Sequence, residues 1–263
     1  AARRDQYAER IHALGRNVPE FEQLALVNWI LCPKPAHLSN TAWHYLINEA
    51  LDALCHQSHP LPSLTDILTG IVRDETKDLT LRDYTIQHLV DWIQPAHLGE
   101  PCETDAQKRQ AIITCMRETV EQYKGDLSGT ALQGLHLVLE GRERSMRQGE
   151  PSAELPLVFT LEQLRALAVH LASTAGVPDS ARMTALQVCA QRGFDEVLPV
   201  ARHIAGDTGQ NVSLRISAIA AIGQIGNSED ILLLANIQNE HFPRLNKAIA
   251  PAIKKLSVKT TSL

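Results

Sequence analysis

A helical pattern recurs along this chain and limits the folds that the chain can adopt. Residues 79–82 (Leu-Thr-Leu-Arg) and 212–215 (Val-Ser-Leu-Arg) carry side chains of the same types in the same order. The small and apolar residues that follow them, Thr85-Ile86 and Ala218-Ile219, also match. Residues 179–190 fit the same frame, and the last helix fits it less closely through Ala248 and Ile249. Such self-similarity indicates a repeat architecture, in which helix pairs too small to bury their own apolar faces stack side by side.

The clearer copies share an arginine near the start of the helix, at Arg82, Arg182 and Arg215. An arginine at this position can reach a carboxylate or a backbone carbonyl of the adjoining turn or repeat. We therefore interpret these arginines as part of the scaffold and not as a binding site. Two copies also carry an aspartate eight residues before the arginine, at Asp74 and Asp207.

The composition favours helices over strands. Aromatic residues make up 4% of the chain and hydrophobic residues 44%. Compact β-rich domains depend on β-branched and aromatic side chains, whereas small and unbranched side chains suit closely packed helices. Helical signals recur from Pro19 to Leu256, and no segment shows convincing strand alternation. No apolar run reaches the roughly 18 residues that predict a membrane span.

The repeated segments resemble HEAT and armadillo repeats. The resemblance rests on Leu81-Arg82 with Thr85-Ile86 and on Leu214-Arg215 with Ala218-Ile219, within segments that cover roughly half of the chain. The family usually places an aspartate six residues before the arginine. Those positions hold Thr76, Gly176 and Gly209 here, so the match is partial.

The resemblance implies an all-α fold in which about a dozen helices form a right-handed superhelical array of antiparallel helix pairs. It also implies a non-enzymatic scaffold that binds a protein partner on its concave face. We expect irregular helical repeats over residues 1–145, a loop or hinge at residues 146–156, and HEAT-like repeats over residues 157–263, all in one continuous array. The partner's identity and the oligomeric state stay open.

The second helix of each pair is the expected lining of a partner-binding surface. On the earlier helix the stripe opposite the core is Asp83, Gln87 and Asp91, and on the later helix it includes Ile216 and Gln224. This predicts a surface that is acidic at one end and apolar at the other. An ordinary solvated helix face explains the same residues equally well.

The charge is unevenly distributed along the chain. Residues 241–263 carry five basic residues and no acidic one, which leaves 20 of the 25 basic residues against all 30 acidic residues elsewhere. Lys254 and Lys255 are therefore candidate contacts for an acidic partner. Lysines near a helix C-terminus also complement the helix dipole and keep an end repeat soluble. The acidic body disfavours nucleic acid as a partner, since a nucleic-acid footprint normally covers more of the surface.

A cluster of cysteines and histidines near the N-terminus is the main alternative site. It consists of Cys32, His37, His44, Cys55, His56 and His59. Metal sites need convergent ligands in tight pairs, and only Cys55 and His59 approach such a spacing, so we predict no metal and no cofactor. Neither a Gly-rich phosphate loop nor a nucleophile elbow is present. The alternative function is a helical-repeat enzyme or lyase subunit with a groove site near this cluster.

The cysteines and the N-terminus leave the compartment open. Five cysteines at irregular spacings do not indicate a disulfide framework, although a bridge between Cys32 and Cys55 stays open. The chain begins at Ala1 without a Met, as expected after removal of a signal peptide or another N-terminal segment. Both a cytoplasmic and an exported protein fit.

Overall fold

The structure is a computed structural model that describes residues 7–11, 13–93, 103–122, 125–149, 159–238 and 242–261. Over these residues it is all-helical, with no strand and with twelve α-helices of nine residues or more. The predicted all-α class is therefore confirmed. The helices are α1 (Glu20–Leu31), α2 (Asn40–Cys55), α3 (Leu64–Arg73), α4 (Leu79–Trp92), α5 (Glu103–Glu121), α6 (Leu127–Gln148), α7 (Leu161–Ser173), α8 (Asp179–Arg192), α9 (Leu198–Gly206), α10 (Val212–Ile225), α11 (Asp230–Gln238) and α12 (Pro243–Thr261).

Several helices begin at residues that cap them. The Ser39 hydroxyl accepts the Ala42 N–H at 3.1 Å at the start of α2. Thr160 and Gln163 form a reciprocal capping box at the start of α7. Each side-chain oxygen satisfies a backbone N–H that has no partner inside the helix, which fixes where the helix starts.

The chain divides into two compact units. The N-terminal unit contains residues 1–118 and 137–158, and the C-terminal unit contains residues 119–136 and 159–263. Two of the three boundaries along the chain fall inside helices, in α5 and in α6. Of the segment 146–156 predicted as a loop or hinge, residues 146–148 belong to α6, and residues 150–156 lie outside the described residues.

An arginine clamp recurs in three helix pairs: α3–α4, α7–α8 and α9–α10. In each pair a five-residue connection joins the helices, and an arginine on the second helix donates its Nε–H to a carbonyl ten residues earlier, at the end of the first helix. Arg82 reaches Val72 O at 2.9 Å, Arg182 reaches Ala172 O at 3.2 Å, and Arg215 reaches Ala205 O at 2.9 Å. The structural interpretation of these arginines is confirmed.

The aspartates that precede two of these arginines organise the connecting loops. Asp74 Oδ1 accepts the Thr76 N–H at 2.9 Å, and Asp207 Oδ1 accepts the Gly209 N–H at 2.9 Å. Both are short Asx turns, which hold the backbone as it leaves the first helix. The aspartate eight residues before the arginine therefore stabilises the loop that joins the two helices of the pair.

In the C-terminal unit the helix pairs lie next to one another. The second helices α8, α10 and α12 contact in sequence, and α10 also packs on α9 while α12 packs on α11. Gly223 allows the close approach of α10 to α12, because a Cβ there would lie 2.6 Å from the Cβ of Ala252. The shared core contains the fully buried Leu186, Leu214 and Leu256.

In the N-terminal unit α2 packs against α1 and α4, and α4 also packs against α3. Its core includes the fully buried Leu46, Leu64 and Ile86. Trp29 and Trp43 meet edge to face with ring centroids 4.9 Å apart, which joins α1 to α2.

Candidate partner surfaces and cavities

The seven side chains predicted to bind a partner fall into two groups, one in each unit. The first group lies on α4 and the second on α10 and α12. The members are Asp83, Gln87 and Asp91 in the N-terminal unit, and Ile216, Gln224, Lys254 and Lys255 in the C-terminal unit.

On α4 the predicted stripe lies opposite the buried face of the helix. Gln87 and Asp91 are exposed and Asp83 is half-buried. Gln87 Nε2 donates to Asp83 Oδ2 at 2.8 Å, one helical turn away. On the buried face His88 lies with its Nε2 3.1 Å from Asn48 Oδ1 on α2. Burial lowers the pKa of His88, which keeps this ring neutral inside the unit. His88 therefore contributes to packing, and the stripe presents carboxylates.

Two members of the second group, Gln224 and Lys255, lie where α12 packs on α10. Lys255 Nζ donates to Gln224 Oε1 at 3.0 Å, so the structure brings two predicted residues into contact. Lys259 Nζ donates to the carbonyl of Gln224 at 2.6 Å, close to the C-terminal end of α10. An ammonium group complements the negative end of a helix dipole, and here it does so for a neighbouring helix. Ile216 is half-buried, nearer the start of α10.

The exposed side of α12 carries a basic face, which consists of three cations, Arg244, Lys247 and Lys254, and the apolar Val258. All four are exposed and recur at intervals of three, seven and four residues, which places them on one side of the helix. The opposite side buries apolar residues, namely Leu245, Ile249, Ala252 and Leu256. The position of Lys254 follows directly from this amphipathic pattern, and Val258, 59% exposed, adds an apolar contact beside it.

Charges in the C-terminal unit are segregated between the two helices of each pair. The second helices α8, α10 and α12 contain one acidic residue, Asp179, and no other. The first helices and the loops carry the remaining described acids of residues 159–261, which are Glu162, Asp195, Glu196, Asp207, Glu229 and Asp230. The negative charge of the whole chain therefore does not extend over α10 and α12, the surface with the basic face.

The cluster of cysteines and histidines does not form one site. Cys55 is buried, and burial together with the carboxylates of Asp52 and Asp91 raises the pKa of its thiol to about 12. A thiol in this state is a poor nucleophile and a poor metal ligand. Cys32 is exposed, and both thiols are free in the structure.

Two members of the cluster, Cys32 and His44, line a cavity of about 430 Å³ in the N-terminal unit. His44 Nε2 lies 3.5 Å from Oδ1 of Asp78, which also lines this cavity. His59 lines a different cavity of about 420 Å³ beside Gln23. The sequence pattern did not indicate the first cavity, because Asp78 lies far from Cys32 along the chain and both line this cavity only through helix packing.

A search of the described residues finds no group of three or more His, Cys, Asp or Glu side chains able to hold a metal ion. None of the helices in the described ranges is both long enough and apolar enough to cross a membrane.

Comparison with family models, curated proteins and solved structures gives no match to this chain.

A histidine on α6 that could suggest acid–base chemistry has a structural role. His136 is buried, and its Nδ1 accepts the Nε–H of Arg192 at 2.9 Å. The same guanidinium donates to the His136 carbonyl at 3.3 Å. His136 and Arg192 thus tie α6 to the end of α8 within the C-terminal unit.

Proposed function

We propose that the chain is a non-enzymatic scaffold of HEAT-like repeats that binds a protein partner. The observation that carries this proposal is the arginine clamp, repeated with the same ten-residue offset in three helix pairs. A recurring pair that packs on its neighbours is the building unit of α-solenoids, whose long helix faces serve as binding surfaces. The proposed arrangement is a right-handed superhelical array of such pairs.

The partner surface that we propose is the basic face of α12 together with the adjoining side of α10. It offers cations from Arg244, Lys247 and Lys254, and apolar contacts from Val258 and Ile216. A surface of this composition suits an acidic, amphipathic segment of a partner protein, which would meet positive charge and apolar area together. A nucleic-acid footprint normally covers more of the surface than one helix face, so nucleic acid is not the proposed partner.

The stripe on α4 is the second proposed contact. Its carboxylates, from Asp83 and Asp91, have the opposite sign to the basic face, so it would take a basic segment. Two surfaces of opposite charge on one chain fit a scaffold that binds through more than one contact.

A charge-reversal experiment tests the basic face. The double variant Arg244→Glu, Lys254→Glu is compared with Arg144→Glu, Arg147→Glu, which changes the same charge at exposed positions of α6. The probe is a fluorescently labelled amphipathic acidic peptide, and its binding is followed by anisotropy. We expect the first variant to weaken binding about tenfold or more and the second to leave it within about twofold. Equal effects of both variants, or tighter binding of an oligonucleotide of the same net charge, would contradict the proposal.

The enzyme or lyase subunit is kept as a second candidate because one cavity gathers Cys32, His44 and Asp78. A catalytic thiol paired with a histidine reacts as a thiolate well below the ordinary cysteine pKa of about 8.5. The pH profile of Cys32 alkylation by iodoacetamide separates the two cases. A rate that stays high at pH 6 supports the enzyme, and a rate that falls tenfold per pH unit below about 8.5 removes Cys32 as a nucleophile.

A further inference from the structure

The cavity that contains Cys32 has an apolar floor. Ile30, Trp43, Ile47 and Leu81 line it and are themselves buried in the core of the N-terminal unit. Its volume of about 430 Å³ lies within the range of roughly 300–1,000 Å³ typical of small-molecule sites. Apolar walls and a few polar groups at one side are the usual composition of such sites.

The rim of the cavity has an excess of positive charge. Lys34 and Lys77 both line it, and among the described residues Asp78 is the one acidic side chain that does so. The Asp78 carboxylate is already engaged, since its Oδ1 accepts the backbone N–H groups of Thr80 and Leu81 at 2.9 and 3.1 Å and lies 3.5 Å from His44. Lys34 donates one hydrogen bond, to Leu38 O at 2.7 Å, and an ammonium has three donors.

A second cavity in the N-terminal unit shows a polar side chain that is already engaged. Gln23 lines this cavity together with three prolines, Pro19, Pro60 and Pro62. The Gln23 amide donates to the carbonyls of Val18 and His59 and accepts the Leu61 N–H. Those bonds hold the loop to α1, and no Lys or Arg of the described part of the chain lines this cavity.

We propose that the cavity lined by Lys34 and Lys77 binds a small organic anion with an apolar body, of the class of medium-chain monocarboxylates. The hydrocarbon tail of such a ligand packs on Ile47 and Leu81, and its carboxylate lies at the ammonium groups of Lys34 and Lys77. This pairing removes apolar area from water while the charged head stays at the open side, where its desolvation cost is small. The site is independent of the protein-binding surface on α12.

Octanoate is the probe for this proposal, with octylamine as the ligand of the same length and opposite charge. Cys32 reports occupancy, because it is the exposed one among the four cysteines of the described residues and lines the cavity. The rate of Cys32 alkylation is measured by peptide mass spectrometry on the full chain, alongside titration calorimetry. Octanoate is expected to bind with one-to-one stoichiometry and to slow alkylation of Cys32, whereas octylamine leaves the rate unchanged.

Two charge-reversal variants locate the carboxylate. Lys77→Glu is expected to weaken octanoate binding about fivefold or more, because it replaces an attractive charge at the rim by a repulsive one. Arg147→Glu changes the net charge equally at an exposed position of α6 outside the cavity and is expected to leave binding unchanged. The proposal is overturned by the absence of saturable binding, by equal protection of Cys32 by octylamine, or by equal loss of affinity in the two variants.

Discussion

Arg202 on α9 and Asp230 on α11 form a two-pronged ion pair in which Nε lies 2.7 Å from Oδ1 and a terminal guanidinium nitrogen 3.1 Å from Oδ2. Asp230 is 3% exposed and also accepts the Asn227 N–H at 3.0 Å. The pair connects the first helices of two neighbouring helix pairs. Its geometry is of the bidentate kind that gives arginine–carboxylate contacts their strength and direction.

Removal of Arg202 leaves the buried Asp230 carboxylate without its cation. We expect Arg202→Ala to lower the free energy of unfolding by about 2–4 kcal/mol, because an uncompensated buried charge is costly. Arg244→Ala, at an exposed position of α12, serves as the control and should change it by about 0.5 kcal/mol or less. Urea unfolding followed by circular dichroism measures both. Equal stability of the two variants would show that the pair contributes little.

The same carboxylate predicts a pH dependence. Burial alone raises the pKa of Asp230, but the hydrogen bonds from Arg202 and Asn227 outweigh it and hold the pKa below its ordinary value of 3.8. A group with a lowered folded pKa stabilises the protein above its unfolded pKa, and that contribution is lost as the pH falls through the folded value. The stability difference between the wild type and Asp230→Asn should therefore be constant from pH 7 to about pH 5 and shrink below about pH 4. A difference that does not change with pH would contradict the lowered pKa.

The arginine clamps should differ in how much they stabilise the fold. Arg215 is 1% exposed, Arg82 is buried and Arg182 is half-buried. Substitution by alanine removes a hydrogen bond to a helix-end carbonyl and leaves a cavity in proportion to this burial. We expect a loss of about 2–4 kcal/mol for Arg215→Ala and a smaller loss for Arg182→Ala. Thermal and urea unfolding rank the variants, and a larger loss at Arg182 than at Arg215 would argue against the clamp.

Gly223 on α10 and Gly70 on α3 provide a variant and a control that test the packing of α10 on α12. A Cβ at Gly223 would lie 2.6 Å from the Cβ and 2.7 Å from the Cα of Ala252, whereas a Cβ at Gly70 meets no atom within 4 Å. Gly223→Ala should therefore destabilise the protein by about 1–3 kcal/mol. Gly70→Ala should stabilise it by up to about 1 kcal/mol, because alanine favours a helix. Similar effects at both positions would contradict the close approach of the two helices.

The stripe on α4 can be tested without harm to the fold. Asp83→Lys and Asp91→Lys replace side chains that lie outside the core, so the melting temperature should change little. If the stripe binds a basic segment, the double variant weakens that contact while the contact at α12 is kept. Unchanged affinity for a partner that binds there would remove Asp83 and Asp91 from the site.

The sequence predicted the local features well, because these depend on residues close together in the chain. The Arg215 clamp spans ten residues and a single loop, so that its partner had to be in the adjoining turn. Helical periodicity also acts locally, and it predicted the all-α class of the described segments.

Features that depend on packing between distant segments could not be predicted in the same way. Arg202 and Asp230 are 28 residues apart, with another helix and two loops between them. The cavity beside Cys32 requires the loop before α4 to lie against the end of α1. The two predicted stripes, which appeared as one surface in the sequence, belong to separate units. Neither helical period nor charge pattern specifies such placements, since both describe one helix at a time.

Site-specific photo-cross-linking from the basic face in the source cell shows whether α12 binds a protein. A photoreactive amino acid replaces Val258, which is exposed among the cations of α12, and in a control chain it replaces Met146, exposed on α6. The scaffold predicts a discrete protein adduct from position 258 that disappears with Arg244→Glu, Lys254→Glu and is absent from position 146. No adduct at position 258, an adduct insensitive to the charge reversal, or an adduct that a nuclease removes would contradict it.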